Sequence, residues 1–461
     1  MNLPNYFLAD LPADASVTSA MVTEACRAMK RNREQYLASR TTQSLIAVIS
    51  RLAEDWLNPD FHFRKAAFTA GASESGFSRQ TLARGLDTFF RQLTAENLRE
   101  LIEQDLGHPH SLDQFVNGAG GRSRTAMVIG PELIAHFTAG NLPIPALQSI
   151  VLGFLTRSAQ LVKCGTGAAF VPRLFAHSIY EADRKLASCL EIAQWRGGDA
   201  APEKALLDQA DCVTATGKDE TLAALRQRMP ESKRFVGYGQ RYSFGFVSSG
   251  ILGGGNARNV AAAAAADVTA WNQLGCLSPH VIYVEHGATV SGEQFASLLA
   301  EELERLEESE PRGELPVEIS AAIASRRSLH EIRAAYVPTD LDPQDMPTTK
   351  LWRSKSSTAW TVVYESDPRF QPSCLHRFIY VKGVAELKEA LQASDSARNK
   401  ISTVGLAAPP EKVRELASEL ALWGALRICP LGQMQNPPLG WRHDGRPALG
   451  DLVRWVDLEL S

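Results

Sequence analysis

The chain has 461 residues, 44% of them hydrophobic and 22% charged, with a formal net charge of −4. One hydrophobic core does not grow that large, so two sizeable domains are expected. The charge balance argues against a non-specific nucleic-acid binder. No stretch approaches the ~20 apolar residues of a membrane span, and Met1–Ala13 lacks a basic leader, so a cytoplasmic protein with no membrane span and no nucleic-acid partner is expected.

The first hundred residues read as helices. Ile46, Val48, Ile49, Leu52 and Trp56 belong to one apolar segment; Leu98, Leu101, Ile102 and Leu106 form a stripe that Gly107 is placed to end. The glycines of Asn117–Arg124 precede a strand-like run instead of following one, so they are not read as a dinucleotide fingerprint. From Thr125 to Ser249 the pattern predicts strands at Ala126–Ile129, Ile134–Thr138, Gln160–Lys163, Cys212–Ala215, Arg234–Gly237 and Ser243–Ser248. Helices at Ala146–Leu155, Val171–Glu191 and Glu220–Arg228 alternate with them. Such alternation implies a largely parallel sheet covered on both faces. Beyond it come an alanine-rich helix, Asn259–Trp271, a strand, Val281–Glu285, and a helix from Gly292; the charged stretch Glu307–Glu314 reads as surface loop. Strands at Ala359–Tyr364 and Arg377–Val381 precede a helix from Val384. Strand Ile401–Ala407, a helix opened by Pro410, and strand Leu426–Cys429 follow.

The seven cysteines, at 26, 164, 189, 212, 276, 374 and 429, form no Cys-x-x-Cys pair. That argues against zinc knuckles and redox dithiols, and no metal is expected. A cysteine that matters here matters alone, as a nucleophile. Cys276 stands between a helix end and a strand, behind a glycine, where a thiolate is able to attack an acyl carbonyl and form a thioester. A lone cysteine is otherwise a small buried hydrophobe.

Three segments carry a family resemblance: Gly140-Asn-Leu-Pro143, Leu161-Val-Lys-Cys-Gly-Thr166 and Trp271-Asn-Gln-Leu-Gly-Cys-Leu-Ser-Pro-His280. Together they resemble the aldehyde dehydrogenase superfamily, with an Asn-x-Pro turn, a lysine at a strand end after the intervening helix, and a cysteine preceded by Asn-Gln. Leu142 replaces the family's aromatic residue. Gly275-Cys-Leu-Ser-Pro279, Trp441-Arg-His-Asp-Gly445 and Leu452-Val-Arg-Trp-Val-Asp457 are similar to the LuxC-type acyl-CoA reductases, from roughly Ala126 to the C-terminus.

The resemblance implies an α/β, aldehyde dehydrogenase-like fold, with a Rossmann-type cofactor domain and an α/β catalytic domain. Residues 1–124 would be a helical N-terminal segment packing on the cofactor domain, 125–255 the NADP-binding domain, 256–430 the catalytic domain and 431–461 a tail. It implies Cys276 as nucleophile, with the Asn141 amide and the Cys276 backbone N–H holding the oxyanion; such a donor is worth about 3 kcal/mol of barrier. Asn141 equally suits a turn before Leu-Pro.

The resemblance also implies that Lys163 contacts the adenosine ribose, with Gly165, Thr166 and Gly250 in the cofactor site. Thr166 stands where NAD-preferring relatives carry a glutamate, which points to NADPH, with Arg173 as a helper for its 2′-phosphate. His280 is a candidate proton handler, although Pro279 breaks the helical spacing to Cys276 and a structural role is favoured; His443 is another, with a structural role beside Asp444 equally open. Glu365 is the nearest acid to a position where the superfamily binds the nicotinamide ribose. No Asp or Glu occurs from Ser232 through Ala266, where aldehyde-oxidising relatives place a base that activates water.

The expected activity is therefore reduction of an acyl thioester, CoA-linked or protein-bound, to an aldehyde. The competing readings are an aldehyde dehydrogenase in the oxidative or CoA-acylating direction and a non-catalytic partner of an acyl-transfer complex. The resemblance further implies a homo-oligomer working beside an acyl-protein synthetase.

Overall fold

The computed structural model describes residues 3–12, 14–117, 124–165, 167–253, 255–287, 289–336 and 348–459. The chain divides into two compact units, one of residues 1–75, 83–239 and 438–461, the other of residues 76–82 and 240–437.

The first unit opens with helices Ser19–Tyr36, Thr42–Leu57, His62–Ser75, Arg79–Gln92 and Ala95–Leu106, the fourth of which begins in the second unit. Thr18, Thr41 and Thr94 start three of them, each side-chain oxygen accepting from a backbone N–H of the first turn. Gly107, at φ 73°, ends the last in the left-handed region that glycine adopts without strain.

A five-stranded parallel sheet follows. Its strands are β3 (Leu133–Phe137), β4 (Ala159–Cys164), β5 (Leu190–Gln194), β6 (Cys212–Thr216) and β7 (Arg234–Tyr238), in the spatial order β5-β4-β3-β6-β7. Helices Ser19–Tyr36 and Ala200–Gln209 cover one face through Val22, Cys26, Met29, Leu206 and Leu207. Helices Ile144–Leu155 and Phe170–Ala182 cover the other. Chain order reverses between β3 and β6, and open sheets of this kind bind ligands at their carboxyl ends near the reversal.

Three expectations change here. The strand read at Ser243–Ser248 leaves this sheet for that of the second unit, which begins at residue 240. The strand read at Ala126–Ile129 lies outside this sheet. As β2 (Arg124–Ile129) it pairs antiparallel with β1 (Val116–Asn117) and with the C-terminal strand Arg454–Glu459. The helix read over Val171–Glu191 stops at Ala182. Asp183 then caps a single turn, Arg184–Ala187, and Leu190 and Ile192 enter the sheet core as β5. Apolar residues on both faces of a covered strand blur the difference between the two periodicities.

The second unit holds a seven-stranded sheet of β8 (Tyr242–Val247), β9 (Pro279–Glu285), β10 (Thr349–Arg353), β11 (Thr361–Glu365), β12 (Phe378–Val384), β13 (Ile401–Ala407) and β14 (Arg427–Pro430). Their order is β10-β11-β12-β9-β8-β13-β14, and only the edge strand β10 is antiparallel. Ala257–Thr269 and Gly292–Ser309 cover one face; Val317–Ala335, Leu387–Ala393 and Pro410–Trp423 cover the other. Ala261, Ala264 and Ala265 are fully buried, which explains the alanine run as a close-packing surface. The stretch Glu307–Glu314 is no plain surface loop. Its first three residues finish the Gly292–Ser309 helix, and Glu310 and Arg312 are buried.

Candidate active site

Cys276 occupies a tight turn between the alanine-rich helix and β9, where Ser278 N–H donates to the Gly275 carbonyl at 3.0 Å. The approach to that turn is unusual. Trp271, Asn272 and Gln273 have φ of 51°, 52° and 64°, the left-handed region in which each non-glycine residue costs of order 1 kcal/mol. A second left-handed run, Leu375, His376 and Arg377 at 63°, 56° and 65°, leads into β12.

The two runs are fastened together. The fully buried Gln273 amide donates to the carbonyls of Pro279 (2.8 Å) and Phe378 (2.9 Å) and accepts from Phe378 N–H (2.9 Å). Asn272 Nδ2 donates to the Arg312 carbonyl (2.9 Å), and its Oδ1 accepts from Arg377 Nε (3.1 Å). The Asn-Gln pair is thus a frame for the turn. The Cys276 carbonyl itself accepts from Ser243 Oγ at 2.8 Å. Gly275 leaves room for Gln435, whose Nε2 would lie 2.5 Å from an added Cβ and which donates to Ser278 Oγ.

All seven cysteines are thiols. Cys26, Cys164, Cys189 and Cys212 are buried, and Cys374 and Cys429 are partly so. Burial pushes their pKa values up to about 12 (Cys26, Cys164, Cys212) or about 11 (Cys189, Cys374, Cys429). Thiolate chemistry is therefore suppressed at these six. Cys276 is half-buried.

His280 begins β9 and is buried. Its Nδ1 accepts from the Ser373 backbone N–H at 3.0 Å, which leaves the proton on Nε2, and burial lowers its pKa to about 4. Asp267 is buried in the alanine-rich helix and accepts from the backbone N–H groups of Gly432 (2.5 Å) and Met434 (2.9 Å); burial raises it to about 7. Glu365 ends β11. Burial alone would raise its pKa, but His330 and the buried Lys382 ammonium, at 2.9 Å, hold it down to about 2. Glu285 ends β9 and accepts from Ser248 Oγ, Ser249 N–H and Ser249 Oγ at 2.7–2.9 Å. Gly250 belongs to this unit, in the short turn after β8. An added Cβ there would stand 2.8 Å from Pro409 Cγ.

In the first unit, Asn141 and Lys163 sit at the carboxyl ends of neighbouring strands. Asn141 is exposed in the turn between β3 and helix Ile144–Leu155. Thr138 N–H donates to the Lys163 carbonyl at 3.1 Å. Gly165 packs directly on that turn, since a Cβ on it would meet Gly140 Cα at 2.5 Å. Lys163 is 7% exposed, and its ammonium makes no hydrogen bond among the described residues. Burial lowers its pKa below the usual lysine value, against the pull of Glu203.

A largely buried cation that no described residue hydrogen-bonds is costly alone and suits an anionic or hydroxyl-rich ligand. Thr166 lies outside the described residues. Arg173, expected as a helper, is engaged with Asp10 at 2.9–3.0 Å. His443 stacks between Tyr238 (4.4 Å) and Trp441 (4.7 Å). Among the described residues no cluster of three or more His, Cys, Asp or Glu suits a metal ion, and no helix is long and apolar enough to cross a membrane.

The family model of acyl-CoA reductase (LuxC) matches residues 37–455. This chain belongs to the acyl-CoA reductase (LuxC) family. The match begins well ahead of Ala126, so the helical N-terminal region is part of the family pattern. Membership makes the chain an oxidoreductase acting on acyl and aldehyde groups. It is 22% identical over 455 residues to a long-chain acyl-protein thioester reductase of Aliivibrio fischeri, covering 97% of this chain and 88% of that one.

Among solved structures, an indole-3-acetaldehyde dehydrogenase in complex with NAD+ superposes with a TM-score of 0.71 at 14% identity, covering 97% of this chain and 90% of the other. A bifunctional proline utilization A protein also gives 0.71 at 13% identity; the match covers 98% of this chain but 46% of that longer one. The fold is aldehyde dehydrogenase-like, as the motifs implied.

Sequence reasoning found the Asn-Gln-x-x-Cys motif without its physical role. It missed Arg377, Gln435 and Ser243, whose partners lie far away in the chain. Only Gly275 and Gly165, each beside a candidate residue, signalled close packing.

Proposed function

We propose that the chain reduces an acyl thioester to an aldehyde through a covalent acyl group on Cys276, with NADPH as reductant. The observation that carries this is the half-buried Cys276 on a turn braced by the side-chain amides of Asn272 and Gln273. The name of the Aliivibrio fischeri relative supports a long-chain acyl-protein thioester as substrate class; the donor is then an acyl-protein or acyl-CoA, supplied in the cytoplasm by a synthetase.

The Cys276 thiolate attacks the thioester carbonyl and expels the donor thiol, leaving an acyl-enzyme. Bound NADPH would supply hydride to that thioester. The Asn141 amide and the Cys276 backbone N–H are assigned to the oxyanion, whose collapse returns the Cys276 thiolate and releases aldehyde. Lys163 is assigned to the adenosine ribose, and its buried ammonium fits that group. Gly165 brings the two strand-end turns of the cofactor half together, and Thr166, which stands where NAD-preferring relatives carry a glutamate, is assigned to the preference for NADPH. Gly250 we retain as a backbone element of the cofactor site. His280, neutral and bonded through Nδ1, is assigned to holding the Ser373 loop, with Nε2–H as its remaining proton.

Hydrolysis requires a base that activates water. Asp267 and Glu365 are both bound up in hydrogen bonds within their own unit, which supports reduction over oxidation.

The test is intact-protein mass spectrometry after incubation with long-chain acyl-CoA alone. A stable adduct that maps to Cys276, is absent in Cys276→Ala and is discharged as aldehyde by NADPH is expected. Rapid release of free acid without NADPH would defeat the reductive reading. NADPH should give a higher kcat/KM than NADH; an equal or better NADH value would defeat the cofactor choice.

A further inference from the structure

We propose that Arg377 is a positioning residue for the nucleophile, acting on Cys276 through the side-chain amide of Asn272. The proposal rests on the assignment of Cys276 above.

Arg377 is 1% exposed and left-handed at φ 65°. Its Nε donates to Asn272 Oδ1 at 3.1 Å; one terminal nitrogen donates to Glu307 Oε2 at 2.8 Å and to the Glu310 carbonyl at 2.9 Å. Asn272 is gripped from its other end, Nδ2 donating to the Arg312 carbonyl at 2.9 Å. Both ends of the amide are fixed, so the carbonyl oxygen must face Arg377, and the left-handed backbone of Asn272 is held with it. Cys276 follows four residues later.

An ion pair between a buried arginine and a glutamate that is 25% exposed is a poor device for stability, since apolar residues of equal volume usually serve as well in place of the buried charge. It is a good device for direction, because a planar guanidinium fixes its partners in angle as well as distance. A chain that needed only packing at position 377 would have no use for an arginine there. One that needs Asn272 in a single orientation does.

The experiment is a double-mutant cycle of Arg377→Met and Asn272→Ala in the full chain. It follows Cys276 acylation by acyl-CoA and alkylation by iodoacetamide, with NADPH affinity and the KM for acyl-CoA measured beside them. Each single variant is expected to slow acylation and alkylation about 10- to 100-fold, as small misplacements of a reacting group do. KM and NADPH affinity should stay within about twofold. Because both residues act through one amide, the double variant is expected to be no slower than the worse single.

Arg377→Met acylating at the wild-type rate, or single effects that multiply in the double, would overturn the proposal. If Arg377→Met does not unfold cooperatively, Arg377→Lys decides. It keeps charge beside Glu307 without reaching both partners, so slowed acylation supports the proposal and an unchanged rate overturns it. Cys276→Ala separates the two readings. Should it retain aldehyde formation, the nucleophile assignment falls; should it be inactive while Arg377→Met acylates normally, only the role of Arg377 falls.

Discussion

Replacing Gln273 with methionine, a side chain of similar length, removes the amide that ties the Cys276 turn to β9 and β12. Three backbone groups lose their partner, namely the carbonyls of Pro279 and Phe378 and the N–H of Phe378, all within 2.8–2.9 Å of the amide. Gln273 has no solvent exposure, so water does not replace those bonds. At about 1 kcal/mol per stranded group, the lower end for buried polar groups, the loss is about 3 kcal/mol. For a unit of about 200 residues that corresponds to a fall in Tm of about 6–12 °C. Differential scanning calorimetry of the full chain measures it. A fall below about 2 °C would show that the amide is not the fastener described. Gln273→Glu sharpens the test. The carboxylate still accepts from Phe378 N–H, but its second oxygen faces two carbonyls, so the folded state favours the protonated acid. With its folded pKa raised, its stability should be greatest below the ordinary glutamate value and fall as pH rises through the folded one. The same pH scan on Gln273→Met should lack that limb.

Three further outcomes are expected. His136 and His280 are buried and neutral, each lowered to about 4, so the unfolded chain binds protons that the folded chain does not between pH 6.5 and 4. Each histidine should therefore cost up to about 3 kcal/mol of stability as the solution is acidified across that window, opposed by Asp267 and Glu191, whose raised carboxyl pKa values favour the folded state over the same range; urea midpoints whose dependence on pH between 6.5 and 4 is the same in the wild type and in His280→Gln would contradict this. Lys163→Met should weaken NADPH binding about tenfold or more while leaving Tm unchanged or higher, because it removes a buried cation that no described residue bonds; a lower Tm with unaltered NADPH affinity would mark Lys163 as structural. Gly165→Ala drives a Cβ to 2.5 Å from Gly140 Cα, backbone against backbone, and should destabilise the chain by about 1–3 kcal/mol and weaken NADPH binding; thermal melts and fluorescence titration read both, and wild-type values would refute the contact.

The sequence was most legible where local pattern and burial agree. The periodic stripe Leu98–Leu106 with Gly107 after it, and the strand Ile401–Ala407, emerged as read. The parallel sheet around Lys163 followed from strand–helix alternation, but β5 was hidden because a strand covered on both faces shows little alternation. β2 was assigned to the wrong sheet because its partner, Arg454–Glu459, lies more than 300 residues away. The candidate site divides the same way. Cys276, Asn141 and Lys163 stand in short motifs, whereas the residues that brace the Cys276 turn are isolated polar side chains whose meaning appears only when the strands align. Arg312 fell in a stretch read as surface loop and Arg377 only opened a strand, because nothing local shows that Arg312 will find the Thr358 carbonyl or Arg377 the Glu307 carboxylate and Glu310 carbonyl.

The clasp between Asn272 and Arg377 joins segments 105 residues apart in the chain. During synthesis the segment around Cys276 therefore leaves the ribosome long before the one that orients it, and closing so long a loop is an unfavourable, late event in folding. Until β12 docks beside β9, Cys276 is a thiol on an unformed turn, no more competent than the other six. On the assignments proposed above, competence for acyl transfer would arrive with completion of the sheet, and a nascent or damaged chain that stops short of Arg377 would carry Cys276 without the residue proposed to aim it.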